Sequence, residues 1–123
     1  MMKGIRHVAL HVRNIERSIE FYAVLGMTIE WRPDARNAYL TSGTDNLALH
    51  EIEEGAIGDS GGLDHFGFLV STPEEVDSWA QRLQNRGVGL VQLPKTHRDG
   101  SRSIYFRDPD GKLIQLLHHP NIC

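Results

Sequence analysis

The stretch Asp64-His65-Phe66-Gly67-Phe68-Leu69-Val70 repeats, with a histidine in the same place, the segment Arg6-His7-Val8-Ala9-Leu10-His11-Val12 near the start of the chain. Each copy precedes a segment whose apolar residues recur at helical spacing. The chain therefore reads as two half-length modules, each presenting one histidine from its first strand. In the first copy His7, Ala9 and His11 alternate with Val8, Leu10 and Val12. Successive strand side chains point to opposite faces, so the histidines share one face and the large aliphatics the other.

Working outward, Asn14 is placed to cap a helix in which Ile15, Ile19, Phe21, Tyr22 and Leu25 form the apolar stripe and Gly26 the stop. Met27 to Arg32 resumes as a strand, Pro33-Asp34 reads as its turn, Ala38 to Thr41 as a short strand, and Gly43-Thr44-Asp45 as a turn into Leu47 to Ile52. Glu53 to Gly62 has no periodicity and reads as a linker. Thr72-Pro73-Glu74-Glu75 is a helix start, followed by the stripe Val76, Trp79, Ala80 and Leu83 and a stop near Gly87. Val88 to Leu93 reads as a strand, Pro94 to Gly100 as a polar loop, and Ser103 to Phe106 with Leu113 to Leu117 as a hairpin around Asp108-Pro109-Asp110-Gly111. Both halves thus follow the order strand, helix, three strands. Superposing the repeat pairs His7 with His65 and Ala48 with Gln115.

The bulk numbers narrow the function classes. The 123 residues suit one domain that buries roughly two-thirds of its unfolded surface. We expect a single domain over 1–123, with module 1 at about 4–53, a linker at about 54–62 and module 2 at about 63–120. Thirteen basic against sixteen acidic residues, without a basic run, give no footprint for nucleic acid. There is no apolar run of spanning length and no signal-peptide pattern at the N-terminus, so a cytoplasmic protein with no membrane partner is expected. The single cysteine, Cys123, excludes an internal disulfide.

His-Val-Ala-Leu-His-Val at 7 to 12, Ser18-Ile19-Glu20-Phe21-Tyr22 with Leu25-Gly26, His65-Phe66-Gly67-Phe68, and Tyr105-Phe106-Arg107-Asp108-Pro109-Asp110-Gly111 together resemble the vicinal oxygen chelate superfamily. That superfamily includes glyoxalase I, extradiol dioxygenases, methylmalonyl-CoA epimerase, fosfomycin-resistance thiol transferases and bleomycin-binding proteins. The resemblance implies an α+β fold of two βαβββ modules forming a cupped, barrel-like mixed sheet around a divalent metal ion (Fe, Mn, Ni, Zn or Co). It implies metal ligands at His7, His65 and Gln115, with Ala48 at the position of a fourth ligand in some members. It also implies a homodimer in which His7 can share a site with the partner's module.

The chain departs from the family at Gln115, where members with a two-histidine, one-carboxylate site carry Glu. Two neutral imidazoles and a neutral amide leave the ion's charge uncompensated, so affinity falls relative to the Glu form. Ala48 leaves coordination open for water or substrate. His11 and His50 share the face of His7 and Ala48 and are candidate acids or bases, since imidazole titrates near neutral pH. Tyr105 corresponds to a substrate-contacting residue in some members and completes the catalytic candidates His11, His50 and Tyr105. His97, Arg98 and Arg102 read as a solvated polar loop with the option of holding an anion. His118 and His119 read as surface residues, and Trp79 and Phe21 as helix core.

The expected function is metal-dependent chemistry on a small substrate that chelates the ion through adjacent oxygens, of the lyase or isomerase, dioxygenase or thiol transferase type. No subtype fits cleanly. Gln115 with Ala48 removes the carboxylate base of glyoxalases, Gln115 breaks the facial triad of extradiol enzymes, and Ala9 stands where the thiol transferases keep a phosphonate-binding threonine. The alternative is a non-catalytic, metal-free binder of the bleomycin-resistance type, holding an apolar or aromatic ligand.

Overall fold

The computed structural model describes residues 3, 5–53 and 63–121. The chain divides into two compact units, Met1–Asp59 and Ser60–Cys123, and their boundary falls within the segment expected as a linker, most of which lies outside the described residues, as does Cys123. Unit 1 contains β1 (His7–Val12), α1 (Ile15–Val24), β2 (Thr28–Asp34), β3 (Asn37–Thr41) and β4 (Asn46–Glu51). Unit 2 contains β5 (Phe66–Leu69), α2 (Pro73–Asn85), β6 (Leu90–Thr96), β7 (Arg102–Arg107) and β8 (Leu113–His118). The expected α+β class and paired βαβββ modules are both present. The strands are hydrogen bonded as two open four-stranded sheets, β1-β4-β3-β2 and β5-β8-β7-β6, and not as one closed barrel.

In each sheet the first strand lies parallel to the last, and the remaining pairs are antiparallel. The helix of each unit covers one face. Under α1 lie Leu10, Val12, Leu40, Leu47 and Leu49 with Ile15, Tyr22 and Leu25 of the helix side, all buried. Under α2 lie Ile104, Phe106, Ile114 and Leu116 with Val76, Ala80 and Leu83. Both caps form as their residue types require. The Asn14 side chain accepts from the Arg17 amide at 3.1 Å, and Thr72 accepts from the Glu75 amide at 3.3 Å with Pro73 in the first turn.

Two prolines overturn the expected strand ends. Pro33 lies inside β2 and Pro94 inside β6, at repeat-equivalent places, and the turn after β2 is formed by Ala35 and Arg36. Proline lacks a ladder donor, which bars it from a central strand but not from an irregular edge. β2 and β6 are the edges of their sheets, and each shows a register shift around its proline, between Trp31 and Asp34 and between Gln92 and Lys95. Phe21 and Trp79 are half-buried and not core; Phe21 meets Tyr22 edge-on at 5.2 Å, and the Arg82 guanidinium lies 4.3 Å over the Trp79 ring. His118 and His119 are likewise half-buried. His118 Nδ1 is buried without a hydrogen-bond partner among the described residues, and His119 Nε2 stands 3.5 Å from Asp99.

Candidate functional site

The face of each sheet opposite its helix carries His7, His11 and His50 in unit 1 and Tyr105 and Gln115 in unit 2, while His65, expected within the first strand, stands immediately before β5. In unit 1 the register pairs His7 with Asn46, Ala9 with Ala48, and His11 with His50, and β3 adds Asn37 beside His50 and Tyr39 beside Ala48. In unit 2 Gln115 pairs with Gly67 on one side and Tyr105 on the other. The repeat alignment of Ala48 with Gln115 therefore holds in the sheets, since each is flanked by a tyrosine of the third strand. Gly67 is needed for close approach here. A Cβ at that position would stand 3.2 Å from both the Gln115 carbonyl oxygen and Leu117 Cδ2.

Three imidazoles are held by Nδ1. His65 Nδ1 donates to Asp64 Oδ2 at 2.6 Å; a carboxylate only accepts, so in the neutral ring the proton is on Nδ1 and Nε2 carries the lone pair. His7 Nδ1 meets Asn46 Oδ1 at 2.8 Å, and Asn46 Nδ2 donates to Glu30 Oε2 at 3.1 Å. Because Glu30 only accepts, it orients the Asn46 amide, and the amide in turn makes His7 Nδ1 the donor. His50 is built the same way, through Asn37 at 2.6 Å. Carboxylate or amide partners on the second ring nitrogen are what orient histidine ligands toward a metal.

The unit 2 residues form one group. The His65 and Tyr105 rings meet edge-on at 5.2 Å, both are half-buried, and Gln115 is the register partner of Tyr105. In unit 1, Trp31 stacks on Tyr39 at 5.1 Å and 20°, and Tyr39 meets His50 edge-on at 5.9 Å. His11 is exposed beside His50. Among the described residues no three His, Cys, Asp or Glu side chains gather to hold an ion. Taken each by its own chemistry, the His7 and His65 imidazoles and the Gln115 amide oxygen are donor types that a borderline divalent cation accepts.

Arg102 is engaged by neighbouring side chains of unit 2. It makes a two-pronged contact to Asp77 at 2.8 and 2.7 Å and a third bond to Thr96 at 2.9 Å, and this contact first of all raises its own pKa and lowers that of Asp77. His97 Nε2 lies 2.8 Å from Ser103 Oγ, and Lys95, Thr96, His97, Arg98 and Asp99 line an open cleft at the end of the hairpin. Asp108 acts in its turn as expected, its Oδ1 accepting from the Asp110 and Lys112 amides at 2.9 and 2.8 Å. The residues that sequence reasoning missed are Asn46, Glu30, Asn37 and Asp34. Only strand register brings them beside the histidines, and the motif around Asp34 read as a turn.

The sequence model of the Glyoxalase/Bleomycin resistance protein/Dioxygenase superfamily matches residues 4–116. The chain belongs to that superfamily. Among superfamily relatives, it is 33% identical over 120 residues to the metallothiol transferase FosB of Staphylococcus haemolyticus, covering 94% of this chain and 84% of that one. It is 29% identical over 119 residues to the glutathione transferase FosA of Serratia marcescens, covering 94% and 81%. The fold matches a lactoylglutathione lyase from Agrobacterium tumefaciens with a TM-score of 0.79 at 23% identity, over 95% and 94% of the two chains. No helix among the described residues is long and apolar enough to cross a membrane.

Proposed function

We propose that this superfamily member is a metal-dependent enzyme that adds a thiol to a small substrate held through two neighbouring oxygens. The observation that supports the reading is that His7 and His65, at repeat-equivalent positions, both have Nδ1 engaged by a neighbouring side chain, so that each neutral ring would keep its Nε2 lone pair for a metal. The named transferase relatives support the thiol. Gln115 and Ala9, in place of the Glu and Thr expected of the fosfomycin enzymes, point to a substrate other than fosfomycin.

His7, His65 and Gln115 would hold a divalent ion (Fe, Mn, Ni, Zn or Co), which when bound supplies Lewis acidity to a substrate oxygen. Tyr105 sits beside His65 and its hydroxyl would donate to a substrate oxygen gaining charge. His11 and His50 supply proton transfer from the same face of unit 1 as His7. The protein would work as a homodimeric, single-domain cytoplasmic enzyme.

Isothermal titration of the metal-stripped protein with Mn, Ni, Zn and Fe salts tests the reading. We expect one saturable site in the wild type that is lost in His65→Ala. An absence of uptake for every ion overturns it. A second reading, a metal-free binder, is favoured by one observation: Trp31 is 60% exposed while stacked on Tyr39, which gives a flat aromatic surface. Thermal stabilisation by bulky aromatic compounds with none from metal ions would select it.

A further inference from the structure

We propose that Asn37 and Asp34 are positioning residues that make His50 a proton acceptor, with its Nε2 lone pair presented to a thiol on the open face of the unit 1 sheet. The role assigned to His50 rests on the thiol-transfer reading above. The arrangement of the three residues does not.

The hydrogen bonds run in one direction only. Asp34 accepts from the Arg36 amide at 2.8 Å and from Asn37 Nδ2 at 3.0 and 3.1 Å on its two oxygens. The Arg36 amide first, and the Asn37 side chain next, hold the Asp34 carboxyl below its ordinary range, so near neutral pH it is an ionised, pure acceptor. Asn37 must therefore turn its NH2 to Asp34 and its Oδ1 to His50, whose Nδ1 lies 2.6 Å away. An amide oxygen cannot donate, so the neutral His50 ring carries its proton on Nδ1. The lone pair is left on Nε2, which is the nitrogen a base needs free.

The fold itself does not require this chain of groups. The repeat-equivalent register in unit 2 places Leu117 where His50 stands, Leu69 for His11, Ser103 for Asn37 and Lys95 for Asp34. The same backbone frame is built there without an imidazole, an amide or a carboxylate at these positions. His50 and Asn37 are half-buried, where the lower local dielectric strengthens their hydrogen bond relative to one in open water.

The chemistry balances without a further reactant. The thiol S–H bond breaks and an Nε2–H bond forms, and the electron pair stays on sulfur as thiolate. The imidazolium charge is delocalised onto Nδ1–H, which remains bonded to an amide polarised by Asp34. Imidazole is a usual acceptor for the proton of a reacting thiol, so no stronger base is required. When the thiolate forms an S–C bond, a bond between that carbon and a substrate oxygen breaks, its electron pair passes to the oxygen, and the oxygen takes the proton back from Nε2.

The test reads the tautomer directly in metal-free protein labelled with nitrogen-15 at histidine, by NMR above the imidazole titration range. His50 is expected as the Nδ1–H form in the wild type. In Asp34→Asn, which keeps volume and removes only the fixed acceptor, and in Asn37→Ala, it is expected to become a mixture of both tautomers while His11 stays unchanged. A wild-type His50 protonated on Nε2, or an unchanged tautomer in both variants, overturns the proposal. Circular dichroism confirms folding, and should Asn37→Ala not fold, Asp34→Asn carries the result. In a second arm, glutathione is added near neutral pH and its ultraviolet thiolate band is recorded. The wild type should raise the thiolate fraction above that of glutathione alone, and His50→Gln should return it to that baseline. Equal thiolate in both overturns the acceptor role. No metal is used in either arm, so a failure of ion uptake, which defeats the metal reading, is distinguishable from a failure here.

Discussion

Replacing Asn46 with Ala removes the acceptor that holds His7 Nδ1 at 2.8 Å together with the donor to Glu30 at 3.1 Å. His7 is exposed and Asn46 half-buried, so the freed groups find water and the fold loses little, about 1 kcal/mol or less. The ring, however, loses the partner that fixes its tautomer and its rotation. Removing such outer partners of a ligand histidine typically lowers metal affinity ten- to a hundred-fold, or about 1.4 to 2.7 kcal/mol. We expect a loss of that size in Asn46→Ala, measured by isothermal titration with Zn or Mn. A smaller loss is expected in Glu30→Gln, where Asn46 remains but its orientation is no longer dictated. His7→Ala serves as the limit and should weaken binding more than either. If Asn46→Ala binds the ion as tightly as the wild type while His7→Ala does not, the reasoning that ties the Asn46 amide to ligand orientation is refuted.

Further outcomes follow from other parts of the molecule. Gln115→Glu should tighten metal binding by restoring a charged ligand, and an unchanged Kd would show that Gln115 does not face the ion. Leu83→Ala, at a fully buried position on the sheet-facing side of α2, should cost about 2 to 5 kcal/mol in urea unfolding, and a loss under 1 kcal/mol would mean that α2 does not seal the unit 2 core. The Arg102 contact lowers the Asp77 pKa from its ordinary 3.8, so its contribution is present above that value and lost as pH falls below it. Asp77→Asn should therefore reduce Tm at neutral pH and show a shallower decline than the wild type on acidification below pH 3.8; parallel curves would show that the pair adds nothing.

Much of the fold was legible in the chain because its signals are local. The alternation at His7 to Val12 and the caps at Asn14 and Thr72 each depend on neighbours within a few residues. The duplicated His65 stretch then supplied the module order without any knowledge of contacts. Pro33 and Pro94 misled because the same residue ends a central strand yet is admitted at an irregular edge, and which strand is an edge is a property of the sheet. His118 and Trp79 misled for a related reason, since strand alternation and helical spacing give the face of a side chain but not what covers it.

The candidate site divides along the same line. Sequence by itself determined the residue types, the repeat equivalence of His7 with His65 and of Ala48 with Gln115, and the membership of the superfamily. It could not supply the partners of the imidazoles. Asn46 lies 39 residues from His7 and Asn37 lies 13 from His50, and the pairings exist only because β1 runs parallel to β4 and β3 antiparallel to it in one register. Hydrogen-bond direction then follows from chemistry: a carboxylate that can only accept orients an amide, and the amide fixes which nitrogen of the histidine is free. The tertiary structure decided that assignment, because a tautomer is set by what lies across the sheet and not by what lies along the chain.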